Sequence, residues 1–260
     1  MPYSNIGIPY VPTEGFSGTA GTHYDSNFCE GAIAVNANET YVIILDTAQS
    51  EAWIHFRNAA DPSNDLSRDG TIAMLLDDSG TPIVYVYFNN NSGGFYLCVG
   101  DWGNTGLDTL IGVLTYDSND GIVTYDIHVK IDSVSGVADI YENGSVSQTY
   151  SGDTEQGKSG RKIAGIRFSC SGTLLSVDNT EYISEVAVGL GNTDTTGIRV
   201  YSKGATGNSA TNTAWTGDYT DLSEKPTDVG SFITAASASL RETFTFPNMP
   251  AGSWDVEALS

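Results

Sequence analysis

The segment 123–154, VTYDIHVKIDSVSGVADIYENGSVSQTYSGDT, constrains the fold more than any other part of the chain. In its first run, Ile127, Val129 and Ile131 occupy every second position, with polar side chains between them. A period of two is typical of a β-strand that has one buried face. A Ser-Gly pair ends this run. Asn143-Gly144, the dipeptide that best supplies two residues at positive φ, predicts a tight hairpin later on. The segment is therefore predicted to be a three-stranded antiparallel meander.

Short runs of the same character recur through residues 31–190, and the segments between them are rich in Gly, Asn, Asp and Ser. These turn formers predict strands joined by loops. Apolar residues make up 40% of the chain, which is enough for a sizeable core. Two facing sheets fit this pattern best. Besides the meander, strands are predicted at 33–35, 41–45, 52–57, 72–76, 83–88, 95–99, 163–168, 174–177 and 182–188.

Both flanks differ from this central part. Residues 1–30 hold three of the eight prolines and are predicted to form an extended N-terminal arm that packs on another surface, with an unconstrained tail as the alternative. Residues 191–260 are polar and turn-rich, with a strand predicted at 242–246 and a short helix or loop at 232–240. We expect residues 191–260 to form a C-terminal β extension or the start of a second small β module.

Four segments of this sequence resemble known proteins. The segment HVKIDSVSGVADIYENGSV, together with YISEVAVG at 182–189, resembles the late strands of laminin G-like, concanavalin A-like jelly-roll domains. The segments DTTGIRV at 194–200 and WTGDYTD at 215–221 resemble structural proteins of tailed bacteriophages. The resemblance implies an all-β, concanavalin A-like jelly-roll sandwich. It also implies a non-enzymatic virion protein (a capsid decoration, fibre or tail component) that contacts other virion proteins and forms a homo-oligomer.

The chain is strongly acidic, with 32 acidic and 11 basic residues and a net charge of −21. Such a surface repels phosphate backbones and anionic lipids, which argues against nucleic-acid or membrane partners. The negative charge keeps the protein soluble, or it binds a partner that has a basic face or a cation. No apolar run is long enough for a membrane span, and the N-terminus lacks the pattern of a secretory signal. We therefore expect synthesis in the host cytoplasm and a final location in the virion.

The three cysteines, Cys29, Cys98 and Cys170, are odd in number and lack C-x-x-C spacing. Free buried thiols are predicted instead of a disulfide framework or a metal site. Such thiols suit a reducing cytoplasm.

Residues 152–159, GDTEQGKS, match the phosphate-loop pattern letter for letter. A phosphate loop needs an apolar strand before it and a helix after it. Here a polar hairpin strand precedes the motif and Gly160 follows it, while Asp153 and Glu155 would repel a nucleotide. A hydrophilic loop is predicted.

Glycoside hydrolysis by a retaining mechanism needs two carboxylates about 5 Å apart. Related jelly-roll glucanases carry them as E-x-D-x-x-E on one strand, and no glutamate of this chain opens that pattern. Glu181 and Glu185 share a strand parity, yet no aspartate lies between them at the right position. The chain is predicted not to be an enzyme, and glycoside hydrolysis is the least favoured alternative.

The histidines, His23, His55 and His128, lack metal-ligand spacing, and no G-x-S-x-G nucleophile motif exists. Solvated histidines on strand faces are predicted.

Trp102 is the single candidate contact residue, in the glycine-rich loop VGDWGNTG. An exposed loop aromatic can stack on a sugar ring or fill a pocket of a partner, or it can close the end of the sandwich. The first possibility supports the alternative function, a lectin-type module for adhesion to glycans of a host surface.

No cofactor is expected, although loop calcium is considered because related domains often hold it. Carboxylate and amide oxygens are suitable ligands, and solvated turn residues are the alternative. The candidate ligands are Asp61, Asn64, Asp65, Asp69, Asp117, Asn119 and Asp120.

Overall fold

The computed structural model describes residues 6–7, 16–17, 24–29, 31–36, 39–60, 70–89, 94–100, 109–114, 121–172, 180–201, 206–208, 215–216, 234–235, 244–245 and 247–251. Several predictions concern residues outside these ranges: the contact residue Trp102, all seven candidate calcium ligands, His23 and the strand at 174–177.

Within the described residues the chain forms β-strands and no helix. The strands are β1 (Ile6–Gly7), β2 (Phe16–Ser17), β3 (Ala32–Asn36), β4 (Thr40–Gln49), β5 (Glu51–Ala60), β6 (Gly70–Leu76), β7 (Pro82–Asn89), β8 (Gly94–Val99), β9 (Thr109–Leu114), β10 (Val123–Lys130), β11 (Gly136–Glu142), β12 (Ser145–Gly152), β13 (Ile163–Gly172), β14 (Thr180–Leu190), β15 (Gly207–Asn208), β16 (Trp215–Thr216), β17 (Thr234–Ala235) and β18 (Phe244–Thr245).

Two large antiparallel sheets contain most of these strands. The eight-stranded sheet has the order β12-β11-β10-β5-β14-β3-β2, and β1 pairs with β14 beside this path. The six-stranded sheet has the order β4-β13-β6-β7-β8-β9. The prediction of an all-β jelly-roll sandwich is therefore confirmed. Strand β9 was not among the strands predicted from the sequence.

The meander that the sequence predicts is β10-β11-β12, with pairing from Tyr125↔Glu142 to Lys130↔Val137 in its first hairpin. Asn143 and Gly144 form the turn between β11 and β12, with φ of 49° and 78°. Two consecutive positive φ angles match the twist of the flanking strands. The hairpin prediction is confirmed.

The core lies between the two sheets, and aromatic rings join them. Phe56 on β5 packs against Phe168 on β13 at 5.1 Å in an edge-to-face arrangement, and against Tyr125 on β10 at 5.4 Å. All three side chains are fully buried. Edge-to-face aromatic pairs add about 0.5–1.5 kcal/mol beyond the burial of their area. The rings therefore fix how the sheets face each other.

A second apolar cluster lies on the outer face of the six-stranded sheet. It consists of Met74, Leu76, Tyr85, Tyr96 and Cys98, all buried.

Cys98 and Cys29 are free thiols, as predicted, and burial raises the pKa of the Cys29 thiol to about 11. The Cys29 thiol therefore stays protonated at neutral pH.

The flanks add short strand pairs. From the predicted arm, β1 pairs with β14 and β2 with β3. In the C-terminal part, β15 pairs with β18 and β16 with β17, and the hydroxyl of Tyr201 donates to the carbonyl of Pro247 at 2.6 Å. No helix in the described ranges is long and apolar enough to cross a membrane.

Residues 152–159, which match the phosphate-loop pattern, fold as a series of turns. The N–H of Lys158 donates to the carbonyl of Glu155 at 3.0 Å, and no helix follows. Thr154 is buried and its hydroxyl bonds the backbone of Lys130 and Asp132. These contacts anchor the loop to the end of β10, and the prediction of a loop is confirmed.

Candidate functional site

Strand β5 supplies the centre of the site, on the outer face of the eight-stranded sheet. Ile54 and Phe56 point into the core, so Trp53, His55 and Arg57 point outward on the opposite face. The neighbouring strand β10 carries its own outward row. Antiparallel register sets which of these side chains meet.

The register places His128 opposite Trp53 and Asp126 opposite His55. On the next strand, β11, Asp139 lies opposite His128 and Tyr141 lies opposite Asp126. Residues directly opposite on one face have Cβ atoms about 5 Å apart. Three strands therefore bring two aromatic rings, two histidines and two aspartates into one patch.

The ring of His128 stacks on Trp53, with centroids 4.4 Å apart and planes inclined by 12°. Tyr141 packs against the same indole at 5.4 Å. Trp53 is only 5% exposed, so it forms the floor beneath the other two rings. These contacts fix the positions of the three rings relative to one another.

Both nitrogens of His128 face carboxylates. Nε2 lies 2.9 Å from Oε1 of Glu51, and Nδ1 lies 3.6 Å from Oδ2 of Asp139. Asp139 also accepts a hydrogen bond from the hydroxyl of Thr149 on β12. These contacts hold the imidazole flat on the indole.

The phenol of Tyr141 remains protonated to a higher pH than usual. Burial raises its pKa, and the negative charges of Asp139, Asp194 and Asp126 raise it further. A neutral phenol both donates and accepts hydrogen bonds. Tyr141 is half-buried, so part of its ring is open to solvent.

Residues 191–200 cross the β5–β14 side of this face. The Nε1–H of Trp53 donates to Oδ1 of Asn192 at 3.4 Å. A Cβ on Gly189 would lie 2.1 Å from the carbonyl oxygen of Thr193, so only glycine lets the segment lie this close to β14. The segment covers one side and leaves the β10–β12 side accessible. We call Glu51, His128, Asp139, Tyr141 and Asn192, over the floor of Trp53, the open strip.

Beneath the covering segment lies a fully buried pair, His55 and Asp126. Their Nδ1 and Oδ1 atoms are 2.8 Å apart, and the hydroxyl of Thr195 donates to the same Oδ1 at 2.8 Å. The prediction that His55 is a solvated strand-face residue is therefore wrong, because residues 191–200 exclude water from it. His128 is also largely buried, with 12% of its side chain exposed, so the same prediction is wrong for it.

Beyond this pair, Asp25, Arg57, Glu185 and Arg199 form an ionic cluster. Arg57 donates to Oε1 of Glu185 at 3.0 Å. Arg199 binds both oxygens of Glu185, each at 2.7 Å, and also Asp25 at 2.8 Å. Burial acts to raise the pKa of Asp25, but hydrogen bonds from Arg199 and from the N–H of Asn27 hold it below the usual value.

Glu185 sits at an irregularity of β14, with a register shift between Ser184 and Ala187 and a φ of 52°. This bulge interrupts the parity that the sequence predicts for Glu181 and Glu185. Glu181 instead accepts a hydrogen bond from Asn58 at 2.8 Å, and burial raises its pKa to about 7. Neither carboxylate belongs to the open strip.

Sequence reasoning did not find the open strip. Its members lie on β5, β10 and β11 and, for Asn192, in the segment after β14, and the His128–Glu51 pair joins residues 77 positions apart. The detectable signal was the polar side of the meander, where His128, Asp139 and Tyr141 alternate with core residues.

Among the described residues, no group of three or more His, Cys, Asp or Glu side chains is arranged to hold a metal ion.

Neither protein-family models nor curated protein sequences match the chain. Similar solved structures exist. One is alginate lyase Aly36B, at 14% identity and a TM-score of 0.46, covering 74% of this chain and 95% of that one.

Another is the binding domain of botulinum neurotoxin DC in complex with SialylT, at 10% identity and a TM-score of 0.46, covering 74% of this chain and 44% of that one. A third is a tetrameric galectin from the ball sponge Cinachyrella sp., at 10% identity and a TM-score of 0.40, covering 56% and 96%. Likeness at this level assigns no activity to the chain.

Proposed function

We propose that the open strip binds a neutral glycan, and that the chain acts as a carbohydrate-binding β-sandwich module. The observation that carries the proposal is the stack of Trp53, His128 and Tyr141, bordered by side-chain hydrogen-bonding groups. A sugar ring has an apolar C–H face and a rim of hydroxyls. The partly exposed ring of Tyr141, held by the stack and surrounded by a few placed polar groups, suits both.

The polar groups match sugar hydroxyls in kind. Glu51 and Asp139 each keep lone pairs beyond those used by His128, and carboxylates accept only. Asn192 and the neutral phenol of Tyr141 can both donate and accept. Hydroxyl groups can therefore be bound whether they donate or accept.

The charge of the strip favours neutral over acidic sugars. Glu51 and Asp139 lie in it, and the charge of Asp194 reaches Tyr141. The chain as a whole carries −21. A uronate or sialate would be repelled by the nearby carboxylates and by the net negative charge of the whole chain.

The test is calorimetric titration with neutral oligosaccharides (cellohexaose, chitohexaose and a galacto-oligosaccharide) and with an alginate oligosaccharide. We expect a neutral oligosaccharide to bind, and Tyr141→Ala to weaken it at least about tenfold, which is 1.4 kcal/mol. Tyr87→Ala is the matched control, because Tyr87 lies on the other sheet. No binding of any neutral probe at about 5 mM, or tighter binding of alginate, would refute the proposal.

We propose binding without catalysis. The carboxylates of the strip are used to hold His128, and Asp139 also accepts from Thr149. Incubation with the same oligosaccharides, followed by mass spectrometry, tests this. Appearance of shorter or unsaturated products that Asp139→Asn abolishes would contradict it.

A further inference from the structure

We propose that β4 pairs edge to edge with β4 of a second copy of this chain, making one continuous sheet across a homodimer. Strand β4 ends the six-stranded sheet and, among the described strands, pairs only with β13. Two of its branched side chains are exposed to solvent, Ile44 at 72% and Val42 at 42%.

Soluble proteins usually protect a free edge with charged residues, proline or a short strand. Strand β4 has ten residues, no proline and Asp46 as its single charged residue. Because no second described strand occupies this edge and Ile44 is exposed, the edge is suited to pairing with another strand. The sequence of β4 itself indicates which strand fits.

A two-fold axis at Ile43 pairs every residue of 40–46 with a suitable partner from the copy. Val42 then lies opposite Ile44, so the two exposed side chains of one protomer cover those of its partner. Tyr41 lies opposite Leu45 on the core side, where both pack partly against the core. Cross-strand pairs of this kind contribute about 0.2–1 kcal/mol each.

The same axis also arranges the charges well. Asp46 lies opposite Thr40, whose hydroxyl can donate to the carboxylate. The two Asp46 side chains are then far apart along the strands. Moving the axis to Ile44 sets Val42 opposite Asp46, and moving it to Val42 sets Thr40 opposite Ile44. The Ile43 axis is therefore favoured, and self-complementarity of this kind is what an interface between identical copies requires.

The axis keeps core-facing residues opposite core-facing residues, so both sandwiches lie on the same side of the joined sheet. The open strips lie on the other sheet and stay accessible. A dimer would therefore carry two strips, which raises avidity for a repeating glycan if the proposed function holds. The interface itself does not depend on that function.

Sedimentation velocity of the full chain over a concentration series tests the proposal. We expect a monomer–dimer equilibrium that Ile44→Asp weakens at least about tenfold, because the new charge faces Val42 of the copy. The matched control is Val146→Asp, the same change at an exposed residue of edge strand β12, 61% exposed. It should leave the equilibrium unchanged. Raising the salt concentration should tighten the dimer, because each copy carries −21.

Hydrogen exchange is the second measurement. Amides within 40–46 should gain protection with rising concentration in the wild type and not in Ile44→Asp. A wild-type chain that remains monomeric at about 200 μM would overturn the proposal. So would a dimer that withstands Ile44→Asp or that Val146→Asp dissociates.

Discussion

Replacing Glu185 by glutamine removes one charge from the ionic cluster while keeping the size of the side chain. The carboxylate is fully buried and accepts four hydrogen bonds. Oε1 accepts from Arg57 and Arg199, and Oε2 accepts from Arg199 and the N–H of Val200. Whichever way the new amide is turned, its NH₂ group faces two donors. At least two hydrogen bonds are therefore lost.

The magnitude follows from what remains in the cluster. Removing one partner of a buried ion pair destabilises by about 3–5 kcal/mol. The side chains of Arg57 and Arg199 are 14% and 24% exposed, and both still reach Asp25. We therefore expect the lower end, about 3 kcal/mol. At about 2–4 °C per kcal/mol for a chain of this size, the Tm should fall by about 6–12 °C.

Urea denaturation at pH 7, followed by tryptophan fluorescence, measures the loss. Glu155→Gln is the matched control, because Glu155 accepts a single backbone hydrogen bond from Gly160 in a loop. It should change the free energy of unfolding by less than about 0.5 kcal/mol. A double-mutant cycle with Arg199→Met should give a coupling of at least about 1 kcal/mol. The reasoning fails if Glu185→Gln is as mild as the control or if the two changes are additive.

Two further predictions concern β14. Glu181→Gln keeps the hydrogen bond from Asn58 and removes a carboxylate whose pKa is raised from 4.5 to about 7. When folding raises the pKa of a carboxyl group, the free energy of unfolding decreases as the pH rises from the pKa of the unfolded state to the pKa of the folded state. The variant should therefore gain up to about 3 kcal/mol over wild type at pH 8 and nothing at pH 4, and an equal gain at both would contradict this. Gly189→Ala would force the Thr193 carbonyl away. We expect loss of protection of the Trp53 indole N–H in hydrogen exchange, and unchanged exchange would contradict the close contact.

The elements that local chemistry specifies could be predicted from the sequence. Alternation of apolar and polar residues gave the strands of the meander, and Asn143-Gly144 gave its turn with both φ angles positive. Rejection of the phosphate-loop match rested on Gly160 and on the acidic side chains of the loop. Each of these signals acts within a few residues, so no knowledge of strand pairing was needed.

The site depends on pairing between distant strands, which local patterns do not contain. Nothing near His55 indicates that Asp126 will lie opposite it, or that residues 191–200 will cover both. The parity argument for Glu185 failed because a bulge inserts a residue and turns the side chain to another direction. Trp102 as a contact residue and assembly into a virion stay predictions, because neither the described residues nor the similar structures bear on them.

The ionic cluster has a consequence for the order in which the nascent chain matures. Asp25 and Arg199 are 174 positions apart, so the segment 24–29 cannot dock until most of the chain has been synthesised. At ribosomal rates of about 5–20 residues per second, this delay lasts about 10–35 s. During that interval the Cys29 thiol lacks the cover that later suppresses its ionisation. Oxidative damage to this cysteine should therefore depend on the speed of translation, and only weakly on the age of the finished molecule.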